Sequence, residues 1–452
     1  MKSILFVIPW KASLVGDTEY VFSEYPERAP ENVVGLASWL VAKGAPVRIA
    51  DMTRMLVEAR GDVAVALDML SEICREFRPE VIGLSFFTAR FAAAAEIVSH
   101  LRGYYGKDAP MIIAGGVHPT LLPEVTYDYI DFDALMIGEG ELSLLDLLSG
   151  KPLEQIRGVY LKGLGTPGPA EVVMDLDELP FPDWSLVDKE FYSQPSRLIS
   201  NVDLHRVMPV TFSRACMYRC NFCAHNSFLA ARCHTPEYFV EMLHDVSRQC
   251  NVRHFLIQDS SVGSFKEKFK QVCRLLIEAG SPYRWWANLR VNQADEEFLT
   301  LLKDAGCSKV FFGFESGSQR ILDRMNKKIT VEQCERAAEI CHRIGLHFYS
   351  SYIVNYFGET EEDLEATEAL IRRTMPDSLA VNKFSPIPGS VDYDRIEDDI
   401  RPMMTSLKAW TDLGMLLAPK LFGDMSPERF DYWYRRLRDM KRIINSNEAH
   451  QE

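Results

Sequence analysis

Three cysteines in this chain are placed where they could do chemistry together. Residues 213–225 read SRACMYRCNFCAH, so Cys216, Cys220 and Cys223 follow the spacing C-x3-C-x2-C. Three thiolates can bind three irons of a 4Fe–4S cube and leave the fourth iron open to a substrate or cofactor. A cluster that only transfers electrons usually takes a fourth thiolate. The same spacing also suits zinc, with His225 or Cys233 as the fourth ligand, or three unrelated buried thiols. Cys74, Cys233, Cys250, Cys273, Cys307, Cys334 and Cys341 are scattered through apolar patterns. Buried free thiols behave that way, and a reducing, cytoplasmic setting suits them better than a disulfide framework.

The elements that must hold this loop form a series from Met208 to Pro386. Strands are predicted at Val210–Ser213, His254–Gln258, Arg284–Leu289, Val310–Phe314, Phe348–Val354 and Ser378–Phe384, with helices between them. Thr330 and Gln333 predict a capping box opening a helix over Val331–Ile344. Such βα units predict a partial (β/α)6, TIM-like barrel, whose chemistry belongs at the C-terminal ends of the strands. The cysteine loop follows the first strand, Gln258 and Asp259 end the second, and Arg290 ends the third. Trp285 and Trp286 suit core packing as well as a pocket wall.

The first 150 residues alternate in the same way. Strands are predicted at Ile4–Ile8, Pro46–Ala50, Val81–Ser85, Met111–Ala114 and Ala134–Ile137. Short apolar runs with helical crossovers predict a doubly wound, Rossmann-like α/β domain with ligand positions at its strand C-termini. Gly and Pro crowd Gly163–Pro169, and DLDELPFPDW over Asp175–Trp184 cannot be a regular helix. The predicted plan is a domain over 1–150, a linker over 151–204, the barrel over 205–390 and a short helical segment over 391–452.

A net charge of −14 and a pI of about 5.3 argue against nucleic acid as a partner. The N-terminal apolar stretch is short and broken by Pro9 and Lys11, which does not make a signal peptide. No apolar run is long enough for a membrane span, and a small-molecule substrate is expected.

With these residues in view, the chain resembles the radical S-adenosylmethionine (SAM) superfamily. The resemblance rests on the cysteine loop, GFESGS at 313–318 with Met325-Asn326-Lys327 behind it, NYFGET at 355–360 and Pro388-Gly389-Ser390. It implies a 4Fe–4S cluster on Cys216, Cys220 and Cys223, and SAM bound by Phe222, Gln258, Asp259, Arg290, Glu315 and Ser316. One electron, from a donor such as flavodoxin or ferredoxin, would then cleave SAM to a 5′-deoxyadenosyl radical. Relatives commonly show G-x-P-G-E-T where Asn355 and Phe357 stand here, which questions the shape of that loop. Tyr218 and Glu315 are the candidate catalytic residues, Tyr218 as a hydrogen or proton donor inside the cysteine loop, and Tyr352 and Asn382 are further candidate substrate contacts.

The N-terminal half resembles the cobalamin-binding domain of one radical SAM class. It does so through Val34-Gly35-Leu36, Gly83-Leu84-Ser85 with Thr88, GGVHPT at 115–120 and Gly138-Glu139-Gly140-Glu141. The resemblance implies a cobalamin site at Ser85, Thr88, Gly115, Gly116 and Gly138, with His118 as either a ligand or a polar loop residue. No D-x-H-x-x-G loop is present. Three functions follow: cobalamin-dependent C-methylation in secondary metabolism such as antibiotic biosynthesis, a cobalamin-independent dehydratase, epimerase or oxidoreductase, and a non-catalytic sensor.

Overall fold

The structure is a computed structural model that describes residues 1–11, 13–15, 19–21, 29–193, 206–224, 231–413, 417 and 420–448. The chain divides into two compact units, Met1–Ser193 with Asp398–Leu413, and Gln194–Glu397 with Gly414–Glu452.

The first unit is built on a six-stranded sheet. Its strands are β1 (Ile4–Ile8), β2 (Val47–Asp51), β3 (Val81–Ser85), β4 (Met111–Gly115), β5 (Ala134–Met136) and β6 (Val159–Tyr160). The order is β2-β1-β3-β4-β5-β6. The first five are parallel, and β6 joins antiparallel to β5. Every residue of β1 is buried, because helices cover a parallel sheet on both faces. The helices are α1 (Glu31–Ala42), α2 (Met52–Glu58), α3 (Val63–Phe77), α4 (Phe91–Tyr105), α5 (Val117–Leu121), α6 (Pro123–Tyr129) and α7 (Glu141–Leu148). Ile4, Phe6 and Ile8 meet Val33, Ala37, Leu40, Leu144 and Leu147 in one core. This strand order is the flavodoxin-like form of the doubly wound fold, with its switch point between β1 and β3. Strand β6 lies in the stretch read from sequence as linker. Two residues are too short to show a period.

Part of the C-terminal stretch belongs to this unit as well. The Thr411 hydroxyl accepts the Ala92 N–H at 3.0 Å, satisfying a free donor in the first turn of α4. The Met404 carbonyl accepts from the Tyr129 hydroxyl at 3.4 Å.

The second unit is a parallel six-stranded sheet in sequential order. It comprises β7 (Val207–Val210), β8 (His254–Ile257), β9 (Arg284–Leu289), β10 (Cys307–Glu315), β11 (His347–Val354) and β12 (Ser378–Lys383). Between and after them lie α8 (Pro236–Cys250), α9 (Lys266–Glu278), α10 (Glu296–Asp304), α11 (Gln319–Arg324), α12 (Val331–Ile344), α13 (Glu361–Thr374) and α14 (Pro427–Glu448). Among the described residues β7 and β12 each pair on one side only, so the barrel is open. The capping box at Thr330 and Gln333 is present. The first strand ends at Val210, earlier than its sequence suggests. Ser213–Arg214 turns off instead to pair antiparallel with Arg232–Cys233, a ribbon that brackets the cysteine loop.

Helix α14 supplies the cover after the last strand. Arg429 and the Trp433 Nε1–H bond Glu361, Arg436 bonds Glu368 on α13, and Lys383 of β12 lies 4.6 Å over the Phe430 ring.

Candidate functional site

The cysteine loop leaves the C-terminal end of β7. Cys216 and Cys223 are half-buried, Cys220 is buried, and none of the three forms a disulfide among the described residues. A Cys223 N–H to Cys220 carbonyl bond of 3.2 Å folds the second half into one turn. The Asn221 N–H donates to the Met325 carbonyl at 2.9 Å, its Nδ2 to the Arg324 carbonyl at 2.8 Å, and the Asn326 Nδ2 to the Arg219 carbonyl. The MNK segment is therefore the bed on which the loop lies. Among the described residues no three His, Cys, Asp or Glu side chains converge on a point that could hold one metal ion, as tetrahedral zinc requires. His225 lies outside the described residues. Three separated thiols on one loop are the donor set that three corners of an iron–sulfur cube take.

Behind the loop runs a continuous polar chain. Arg290, at the end of β9, is buried. Its Nη1 donates to the Cys220 Sγ at 3.4 Å and its Nη2 to the Lys327 carbonyl. The guanidinium lies 3.7 Å from the Tyr218 ring centre. The Tyr218 hydroxyl accepts from Asn292 at 3.3 Å and Gln293 at 3.1 Å. Tyr218 thus clamps the arginine from the cysteine loop. Lys327 turns its ammonium to Glu315 at 2.7 Å, with both side chains 8% exposed, and sits 5.6 Å from the Phe222 ring centre. Ser351 donates to the other Glu315 oxygen at 3.4 Å.

Backbone geometry aims Glu315. It has φ +63, and the β10–β11 register slips between Gly313 and Glu315, an irregularity of the kind that re-aims side chains beside active sites. A Cβ on Gly313 would stand 2.2 Å from the Glu315 carboxylate. Gly313 is therefore glycine because the carboxylate folds back over it. Lys327 is the site residue that sequence reasoning missed; the signal was its place in the MNK segment behind GFESGS.

Other expected SAM contacts have protein partners. Asp259 accepts the Phe212 N–H at 2.8 Å and the Ser213 hydroxyl, so it fixes the entry to the cysteine loop. Burial pushes its carboxyl up to about 6. Gln258 is half-buried, and its N–H pairs with the Val210 carbonyl at 2.9 Å. Ser316 is fully buried. Its Oγ accepts the Ser318 N–H at 3.1 Å and lies 3.4 Å from the Thr367 hydroxyl. The Gly317 N–H bonds that same hydroxyl at 3.0 Å. A Cβ on Gly317 would strike the Ala366 carbonyl at 2.2 Å. The GFESGS turn is seated directly on α13.

Asn355 keeps φ at +68, a left-handed conformation that asparagine tolerates better than most residues. The loop thus retains the backbone shape a glycine would allow. Its side chain accepts the Phe422 N–H at 2.9 Å and donates to the Lys420 carbonyl at 2.9 Å. Glu359 accepts the Asn355 N–H at 2.5 Å, and its Oε1 is buried without a partner. Burial pushes this carboxyl up to about 8. Trp285 packs on Phe269 and donates to the Ala305 carbonyl at 3.1 Å, which makes it core. Tyr352 is also core, fully buried edge-on to Phe314, while Asn382 is exposed.

In the first unit, the expected ligand positions gather at the C-terminal ends of β3 and β4. Gly116 has φ +91, and a Cβ there would meet the Phe86 N and Ser85 Oγ at 2.9 Å. Its lack of a side chain lets the two loops pack together. His118 is fully buried and lies 4.2 Å from the Phe91 ring centre and 5.6 Å from that of Phe86. Its Nδ1 pairs with the Thr88 hydroxyl at 3.0 Å. Burial lowers its pKa to about 3, so the imidazole is neutral and turned inward. Gly138, at φ +90, donates its N–H to the Thr120 hydroxyl at 3.1 Å. At this edge Ser85, Thr88 and Gly138 are half-buried, and the Phe87 side chain is 56% exposed. Such a surface fits a large flat ligand held by shape, with no imidazole offered to its metal.

Residues 210–371 match the radical SAM superfamily model, and residues 37–148 match the B12 binding domain. An uncharacterised methyltransferase of Pyrococcus horikoshii is 28% identical over 383 residues, covering 80% of each chain. The anaerobic magnesium-protoporphyrin IX monomethyl ester cyclase of Rubrivivax gelatinosus is 28% identical over 348 residues, 74% of this chain and 61% of the cyclase. In fold, the chain is similar to the cobalamin-dependent S-adenosylmethionine radical enzyme OxsB (TM-score 0.73, 17% identity, 98% of this chain, 72% of that one). It is also similar to the radical S-adenosylmethionine methyltransferase TsrM of Kitasatospora setae (TM-score 0.69, 19% identity, 88% and 75%). No helix among the described residues is long and apolar enough to cross a membrane.

Proposed function

Because this chain belongs to the radical SAM superfamily, in the class that carries a B12-binding domain, we propose that it is a cobalamin-dependent methyltransferase acting on carbon in a small-molecule substrate. The observation that carries the reading is the order of the two units in one chain, shared over 80% of its length with a relative named as a methyltransferase. When bound, the 4Fe–4S cluster supplies the electron that cleaves SAM, and cobalamin supplies the methyl carrier.

The chain's own residues supply positions and fields. Cys216, Cys220 and Cys223 would hold three irons of the cluster. Phe222 offers a face for the adenine, and Gln258 offers an amide beside the loop. Lys327 pairs with Glu315 and aims it, so that its carboxylate can accept hydrogen bonds from SAM. Asp259, Ser316 and Ser318 hold the loops that carry those groups. Tyr218 orients Arg290, and its hydroxyl, carried by the cysteine loop, is a candidate hydrogen or proton donor. A low-potential donor of the flavodoxin or ferredoxin type delivers the electron. Secondary metabolism is the setting supported by the similarity to a cytidylyl-2-hydroxyethylphosphonate methyltransferase of Streptomyces wedmorensis (24% identity over 363 residues).

The test is anaerobic purification, cluster reconstitution, and turnover with reductant and SAM, with and without hydroxocobalamin. Retained corrinoid and formation of S-adenosylhomocysteine are expected. The second reading is a dehydratase, epimerase or oxidoreductase that does not need cobalamin. Formation of 5′-deoxyadenosine with no bound corrinoid would replace the first reading with the second.

A further inference from the structure

We propose that Arg290 is a positioning residue that raises the reduction potential of the iron–sulfur cluster, acting through Cys220 and held in place by Tyr218. The proposal rests on the reading that Cys216, Cys220 and Cys223 carry that cluster.

Three contacts fix the guanidinium. One amino group donates to the Cys220 sulfur at 3.4 Å. The other donates to the Lys327 carbonyl. The Tyr218 ring covers the flat face at 3.7 Å, and two amides hold its hydroxyl from behind. The Arg290 N–H also donates to the Ser261 hydroxyl at 3.3 Å, which anchors the backbone. The Nε is buried and has no partner among the described residues. An arginine engaged on two edges and one face has little freedom to swing toward a ligand.

The physical consequence concerns charge. Reduction adds one electron to a cluster already held by thiolates, and no proton moves. Hydrogen bonds to ligating sulfur and positive charge nearby both stabilise the reduced form. Burial strengthens the effect, because little water screens the guanidinium. Among the described residues, no acid group neutralises it: the guanidinium meets a thiol, a carbonyl and an aromatic face. The nearby carboxylate, Glu315, is committed to Lys327. Arginine was expected here as a partner for the SAM carboxylate, but its present contacts point to the cluster ligand.

The test uses the full chain, reconstituted without oxygen, with iron and sulfide counted per chain. The paramagnetic signal of the reduced cluster is followed against poised potential with dithionite. Arg290→Gln removes the charge and keeps a donor amide; Arg290→Lys keeps the charge. At the wild-type midpoint, the reduced-to-oxidised ratio should fall by about tenfold in Arg290→Gln and by less in Arg290→Lys. Tyr218→Leu, which frees the guanidinium without removing it, should shift the midpoint the same way by a smaller amount.

A merely structural arginine would lower cluster content and leave the midpoint of the remaining clusters unchanged. That outcome in Arg290→Gln overturns the proposal. If Arg290→Gln holds no cluster, an unchanged midpoint in Tyr218→Leu does so instead. A wild-type chain that takes up no cluster overturns the underlying reading, and this proposal with it.

Discussion

The two units share an architecture and use its ligand edge in opposite ways. Both build their ligand edge from parallel strands that end on the working face. In the barrel, that face holds polar side chains in contact: Arg290 on Cys220, Lys327 on Glu315, Asp259 on the loop entry. In the first unit, the corresponding edge hides its one tempting ligand, His118, between aromatic rings, and exposes the Phe87 side chain. Strongly directional chemistry on a small cluster needs fields and hydrogen bonds. A corrinoid brings its own metal ligands, so a protein can hold it by shape.

The sharpest way to break this contrast is Cys220→Ala. Cluster content and SAM cleavage should be lost entirely, while corrinoid retention stays at the wild-type level by absorbance. Loss of both would mean that the units do not bind their cofactors independently. Next comes the buried ion pair. Lys327→Met leaves Glu315 buried without its partner and should lower stability by about 3–5 kcal/mol in urea unfolding. The double variant Glu315→Gln with Lys327→Met should recover much of that stability without restoring SAM cleavage.

In the first unit the vulnerable feature is backbone shape. Gly116→Ala forces a side chain into a left-handed position against Phe86 and Ser85, and should cost about 1–3 kcal/mol. Corrinoid retention should fall while iron content does not; the reverse pattern would sink the contrast. A gentler test is pH. The Glu359 carboxyl is raised from 4.5 to about 8, so the folded chain keeps a proton that the unfolded chain releases. Its contribution is full below pH 4.5 and is lost as pH rises through 8. Asp259 contributes in the same direction only up to about 6. His118, lowered to about 3, opposes it only below its ordinary 6.5. Between pH 6.5 and 8 the melting temperature should therefore fall in the wild type and stay flatter in Glu359→Gln. The smallest expected effect is none: His118→Leu should leave the absorption of bound corrinoid unchanged, and a shifted spectrum would make the imidazole a ligand after all.

Much of the scaffold was legible because burial on both faces leaves a mark. Ile4–Ile8, Val81–Ser85 and Arg284–Leu289 stand where their apolar runs put them, and the cysteine spacing pointed to the loop. The polar wiring was not legible. Nothing in the local sequence says that Arg290 reaches Cys220, seventy residues away, or that Ser316 turns to Thr367. Polar side chains choose partners only after the chain has folded. The end of the chain misled for a related reason. Its helical periodicity is real, but periodicity does not say which core a helix joins.

That division has a consequence for how the molecule is made. Residues 398–413 complete the first unit, including the hydroxyl of Thr411 on the start of α4. They leave the ribosome roughly 200 residues after Ser193, once the last barrel strand has been synthesised. At typical elongation speeds that is a delay of roughly 10–40 s. For that interval the nascent first unit waits unfinished, its α4 entrance uncapped, while the barrel is still emerging.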